Sequence, residues 1–275
     1  MLFPDYKNEQ VITDKPVIAW WSGGITSAVA CWLALKMFKK VELCYIHINS
    51  HHPDTLRFKA DCERWYGQEI KQFQNRIYKD QFEVIEDTGY VNGPDGARCT
   101  EELKKKVRRT VEMLFPSAYQ VWGFECETRQ INRAIRFLQE FPDTRPVFPL
   151  IENQLDKNEC AGIIQTAGIE LPAMYGLGYN NNNCIGCTKG GKGYWNKIRT
   201  DFPQHFKNMA TAERAAGHSC INGTFLDELS PTAGRATEII IPECGALCQS
   251  KFDDIIDSRV DKVLSGEISL LSFLK

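Results

Sequence analysis

The sequence predicts an α/β protein built on a doubly wound parallel sheet, followed by an irregular cysteine-rich C-terminal subdomain. Three observations carry this reading. Short apolar runs alternate with stretches of helical apolar spacing from Val17 to Ile169, the pattern of strand–helix–strand units whose strands pair in parallel with helices on both faces. Two glycines, Gly23 and Gly24, stand where the first apolar run passes into the first helical stretch. From Leu171 the rhythm fails and Gly, Asn and Cys become dense. The expected division is a nucleotide-type α/β domain over 1–170 and a cysteine-rich metal-binding or redox subdomain over 171–275.

Taken in order, 17–21 reads as a buried strand and 25–40 as a helix ending in Lys39 and Lys40, cations that suit a helix C-terminus. The run "VELCYIHI" (41–48) reads as a second strand. "HHPDTLRFKADCERWYG" opens on a turn signal and continues as an amphipathic helix to Gly67. "FEVIE" (82–86) reads as a short strand, 101–114 as a charged helix and 119–124 as another strand. Residues 132–140 have helical spacing, and "FPLIENQLDKNECAGIIQTAGI" reads as a short strand and a helix. The one low-complexity tract is the asparagine run 180–183.

The chain has 275 residues, 43% of them hydrophobic, a net charge of −2 and a pI near 6.2. That length supports one large α/β domain or a domain with an appended subdomain. The charge provides no global basic field for nucleic acid and leaves only a local basic patch open. No apolar stretch is long enough to cross a bilayer, and "MLFPDYKNEQ" lacks the basic and apolar regions of a secretory signal. A cytoplasmic location follows, so the eleven cysteines are read as free thiols or metal ligands and not as disulfides. Cys31 and Cys44 lie inside apolar runs and read as small buried hydrophobes.

The junction "SGGITS" places Ser22, Gly23, Gly24, Thr26 and Ser27 at the start of the first helix. Glycines there let the backbone approach a phosphate, and the helix N-terminus offers N–H groups and the positive end of its dipole. The alternative is a tight turn with no ligand. "CIGC" pairs Cys184 with Cys187; two thiolates on one turn can share a zinc ion or an iron–sulfur cluster, or act as a redox couple. "PECGALCQ" carries Cys244 and Cys248, readable as a mobile nucleophile with a resolving thiol or as a metal-binding pair. "TKGGKGYWNKIR" joins glycines to Lys189 and Lys192, which suits a sulfate or phosphate pocket or a solvated basic loop, with Tyr194 and Trp195 available to stack on a base. His47, His51 and His52 read as a polar rim.

"SGGITS" resembles the PP-loop of the adenine-nucleotide hydrolase-like superfamily, a Rossmann-like α/β fold, with Thr26 where the signature has Asp. The segments "HPDTLRF", "RCTEELKKKV", "GFECETR", "GIELPAMYGLGY" and "CIGC" follow in an order similar to the phosphoadenosine phosphosulfate (PAPS) reductase family. That resemblance implies an adenine nucleotide, PAPS or ATP, on Ser22–Ser27, with Arg129, Lys189 and Lys192 neutralising its charge. It implies a four-iron four-sulfur cluster, in preference to zinc, on Cys99, Cys184 and Cys187, with Cys220 as the fourth ligand or one iron left open. It implies Cys244 as the nucleophile that attacks the sulfonucleotide, with a thiol reductant as partner. The function so implied is sulfonucleotide reduction. The alternatives are an ATP-dependent PP-loop sulfurtransferase or nucleotide-modifying enzyme carrying an iron–sulfur cluster, and a non-enzymatic nucleotide-binding zinc module. A homo-oligomer is compatible with all three.

Overall fold

The computed structural model describes residues 13–93, 96–235 and 260–268. Five strands form one parallel sheet in the order β3-β2-β1-β4-β5. They are β1 (Val17–Trp20), β2 (Glu42–Ile46), β3 (Lys71–Phe73), β4 (Tyr119–Val121) and β5 (Pro146–Val147). The chain leaves β1 through α1 (Ile25–Met37), builds outward through α2 (Asp54–Tyr66), and then crosses to the other side of β1. The order therefore reverses between β1 and β4, and in such sheets ligands bind at the carboxyl ends of the strands flanking that point.

All four residues of β1 are buried, and their alternation feeds two cores. Val17 and Ala19 pack with α1, with Phe58 and Cys62 of α2 and with Cys160 and Ile164 of α8 (Lys157–Thr166). Ile18 and Trp20 pack on the opposite face with Val111, Ile131 and Ile135. Those residues come from α5 (Lys106–Leu114) and α6 (Thr128–Glu140). Cys31, Cys44, Cys62 and Cys160 are fully buried in these layers. Burial pushes the last three thiols up to about 12, so they stay protonated and inert. Among the described residues no helix is long and apolar enough to cross a membrane.

Two elements differ from the sequence reading. "FEVIE" is helical: α3 (Gln81–Thr88) is capped by Asp80, whose carboxylate accepts from the N–H groups of Phe82 and Glu83, and Gln81, Val84 and Ile85 form its buried stripe. A cap followed by apolar spacing of three and four outweighs the β propensity of five residues. The strand in this region is instead β3, whose residues are mostly exposed, so no apolar run announces it. Likewise "PLIE" forms α7 (Pro149–Glu152) behind the two-residue β5.

The charged helix has an unexpected interior. It begins as α4 (Arg98–Thr100), passes through a five-residue π-helical turn, Glu101–Lys105, and only then becomes α5. A third core lies beyond the sheet, where Tyr179, Ile185, Tyr194, Trp195 and Met209 pack together with Ile85 and Val91. Its helices are α9 (Ala173–Gly176), α10 (Lys192–Asp201) and α11 (Pro203–Ala216), and α12 (Val260–Leu264) packs back on α6.

Candidate nucleotide cleft and cysteine neighbourhood

The loop from Ser22 to Ser27 is shaped by its own hydroxyls. Ser27 Oγ accepts from the Ser22 N–H and the Ser22 hydroxyl, each at 3.0 Å, and donates to the Gly24 carbonyl at 2.8 Å. Ser27 is buried and thus acts as the brace of the loop, while Ser22 is exposed. Gly23 sits at φ +88°, a conformation L-residues rarely adopt, and a Cβ there would meet Thr55 Cγ2 at 2.9 Å. Gly24 occupies the N-cap of α1 and has no side chain to cap that end, which leaves the helix N-terminus suited to an anion. The Tyr175 hydroxyl accepts from the Ile25 N–H at 3.3 Å and closes one side.

Gly123, just past β4, completes the loop's bed. A Cβ at Gly123 would lie 2.6 Å from Ser27 Cα and 2.7 Å from the Ser27 nitrogen, so backbone rests directly on the first turn of α1. The glycine in "GFECETR" therefore shapes this loop as much as Gly23 and Gly24 do. Sequence reading passed over it because a lone glycine after a strand has no signature of its own.

These elements line one cleft at the switch point, with Trp20, Trp21, Ser22 and Gly24 on one side and Trp122, Gly123 and Phe124 on the other. Thr26 also lines it. The cation in the cleft wall is Lys104, delivered by the π-helical turn; such turns concentrate at functional sites. His51 lines the cleft as well. Burial first, and then the charge of Lys104 and the neighbouring His47, hold its imidazole well below the usual histidine range. His51 Nδ1 lies 2.6 Å from the Tyr45 hydroxyl, which also meets His47 Nδ1 at 3.3 Å. Asn181, Asn182 and Asn183, from the run that looked like low complexity, complete the lining.

The other expected anion ligands are placed elsewhere. Arg129 is exposed in the first turn of α6, and Lys192 is exposed at the start of α10. Neither they nor Lys189 line the cleft. Tyr194 and Trp195 are not available to stack on a base. Both are fully buried because α10 turns them into the third core, and the Tyr194 hydroxyl is engaged by the Cys187 N–H at 2.9 Å and the Cys184 carbonyl at 3.4 Å.

Cys99 and Cys184 pack on one small cluster around Ile48, Val84 and Leu103, while Cys187 and Cys220 belong to the third core beside it. Cys99 Sγ lies 3.7 Å from the hydroxyl of Thr188, the residue after Cys187. The turn carrying the pair is opened by Gly186 at φ +72°. The donor set, four thiols from three segments, has the chemistry of an iron–sulfur site. It is not drawn onto a single ion: among the described residues no three His, Cys, Asp or Glu side chains are arranged to hold one metal. Cys220 in particular is turned to the buried Glu213, and burial first, then that carboxylate, raises its thiol well above the usual range. Cys244 and Cys248 lie outside the described residues.

Fold and cleft together define an α/β protein with a backbone-built, glycine-lined loop opening on a cleft at its switch point. The chain belongs to the phosphoadenosine phosphosulfate reductase family, whose domain matches residues 16–190. Among solved structures it is similar to the U34-tRNA thiolase NcsA from Methanococcus maripaludis with its 4Fe-4S cluster, at 13% identity and a TM-score of 0.39, over 75% of this chain and 73% of that one. A search of curated proteins found no match.

Proposed function

We propose that this chain is an adenine-nucleotide-dependent enzyme of sulfur chemistry, with an ATP-dependent sulfur transfer as the reading its geometry supports best. The observation that carries it is the continuity of two features. The anion loop faces a cleft whose wall runs through Asn181–Asn183 directly into Cys184. In this reading 1–170 binds the nucleotide with the help of Asn181–Asn183, and 171–275 brings its thiols to meet Cys99 of α4. The N–H groups at the start of α1 and the Lys104 ammonium hold the phosphates. His51, kept neutral, offers a proton at the cleft wall, with Tyr45 fixing the ring through Nδ1. An acceptor oxygen attacks the α-phosphorus and pyrophosphate leaves; a sulfide-level sulfur supplied as co-substrate then attacks the carbon that bears the adenylated oxygen, forming the C–S bond as the C–O bond breaks and AMP leaves with that oxygen. Cys99, Cys184 and Cys187 would hold the iron–sulfur cluster. With Cys220 turned to Glu213, one iron would be left without a cysteine, and the cluster when bound would supply there a place for a sulfur atom to attach.

Family membership favours a second reading, sulfonucleotide reduction, in which a thiol takes the sulfonate from PAPS, adenosine bisphosphate leaves, and a second thiol frees sulfite. Product analysis separates the two. Protein prepared without oxygen is incubated with ATP or with PAPS, each alongside a thiol, and pyrophosphate and sulfite are measured. Pyrophosphate from ATP supports sulfur transfer, and sulfite from PAPS supports reduction. Neither product, with nucleotide bound and zinc retained, would leave a binding module.

A further inference from the structure

Asn182 is 5% exposed and lines the cleft beside the anion loop. Its Nδ2 lies 2.9 Å from the Gly23 carbonyl and 3.0 Å from Thr55 Oγ1. A carbonyl oxygen can only accept, so the orientation of the amide is fixed by its partner. Both Nδ2 hydrogens are then spent on the protein. Oδ1 remains a buried acceptor with no protein partner. Three other polar groups of cleft-lining residues are buried and without a partner, Trp21 Nε1, Asn183 Nδ2 and Trp122 Nε1, and all three are donors.

Phosphate oxygens satisfy donors. They satisfy the Asn183 amide and the Trp122 indole as readily as they satisfy the helix N-terminus, but they carry no proton for Asn182 Oδ1 at neutral pH. An acceptor left buried opposite another acceptor is penalised, so this position disfavours phosphate and calls for an N–H or O–H. Adenosine offers three neutral groups of that kind: the ribose 2′- and 3′-hydroxyls and the 6-amino group.

We propose that Asn182 is a specificity residue of the cleft, accepting a hydrogen bond from a neutral O–H or N–H donor of the adenosine moiety while Gly23 and Thr55 hold its amide in place. This rests on the nucleotide reading above and adds to it that recognition does not end at the phosphates. The Asn run is thereby part of the ligand site, and the chain distinguishes a nucleoside from a bare phosphate chain.

Calorimetry with AMP, 2′-deoxy-AMP, 3′-deoxy-AMP and purine riboside 5′-monophosphate, against the full chain and against Asn182→Ala, tests this. One analogue should bind the unmodified chain about 10-fold more weakly than AMP. Asn182→Ala should bind AMP as weakly as that analogue, with no further loss when the donor is also removed. The identity of the analogue says whether a hydroxyl or the amine is the donor. Equal binding of all four nucleotides by the unmodified chain overturns the proposal, as does a loss of the same size in Asn182→Ala. Should Asn182→Ala lack a cooperative melt, the analogue series on the unmodified chain decides alone by the same criterion. Absence of AMP binding altogether removes the nucleotide reading and this inference with it, whereas AMP binding without discrimination removes only the inference.

Discussion

At the end of β1 the anion loop is held by backbone: Gly23 turns it, Gly24 opens the helix end, and Gly123 supports it from β4 with no room for a side chain. Around Thr188 and Tyr194 the construction is the reverse. Four thiols arrive from α4, from the turn at Gly186 and from the segment after α11, and side-chain packing with a few side-chain hydrogen bonds sets how they lie. The first region is preformed, since a loop braced by Ser27 and packed backbone has little left to rearrange. The second is assembled by long-range contacts, and its thiols are neighbours without converging on one ion. Substitutions in the cleft should therefore act by blocking a fixed shape, and substitutions among the cysteines by removing donors from a set.

The largest effect on stability should follow from Gly123→Ala. Its Cβ would lie 2.6–2.9 Å from the backbone of Thr26 and Ser27, and neither strand nor helix can withdraw cheaply. Overpacking of this kind costs about 1–3 kcal/mol, and the displaced helix start should weaken nucleotide binding by roughly tenfold or more. A melt and a titration with AMP check both. A tolerant Gly123→Ala would mean that the bed of the loop is softer than the cysteine region, reversing the comparison.

Next in size are Cys99→Ser, Cys184→Ser and Cys187→Ser. A serine hydroxyl is a poor substitute for thiolate, so each should lower the iron bound by protein reconstituted without oxygen and bleach its broad absorbance near about 400 nm. AMP binding should be retained in all three. Full iron content in Cys99→Ser would remove that residue from the set.

A smaller, graded effect belongs to His51. Its folded pKa is depressed by burial and by Lys104 and His47, so the unfolded chain takes up a proton that the folded one does not. The stability it permits is fully present above about pH 6.5 and falls as pH drops towards the folded value, by up to about 1.4 kcal/mol per pH unit. His51→Gln should flatten that slope in denaturant melts between pH 7 and pH 5. An unchanged slope would assign it to His47 or His205, whose values are also lowered by burial.

What the sequence revealed follows the same division. Gly23 and Gly24 were legible because two glycines between a strand and a helix have few other uses, and the order of apolar runs placed them on β1 and α1. Gly123 was not, because its role depends on a helix nearly a hundred residues away. Lys104 was hidden in what reads as a charged surface helix, since no periodicity announces the π turn that aims it at the cleft. The asparagine run was mistaken for low complexity, because the value of Asn182 lies in contacts with Gly23 and Thr55. Tyr194 and Trp195 were misread in the opposite sense: glycines and lysines around them signal a loop, yet α10 buries both.

The most direct test of the central claim is calorimetric titration of AMP into the unmodified chain and into Gly24→Asp. At Gly24 a Cβ would stand 3.4 Å from the Tyr175 hydroxyl, a tight contact that a side-chain rotation relieves, so the fold should survive and melt normally. The added carboxylate would occupy the place proposed for the phosphate at the start of α1 and repel that anion. The account predicts one AMP site in the unmodified chain and none measurable in the folded variant. Unchanged affinity in folded Gly24→Asp would show that the loop is only a turn and that the anion, if there is one, binds elsewhere.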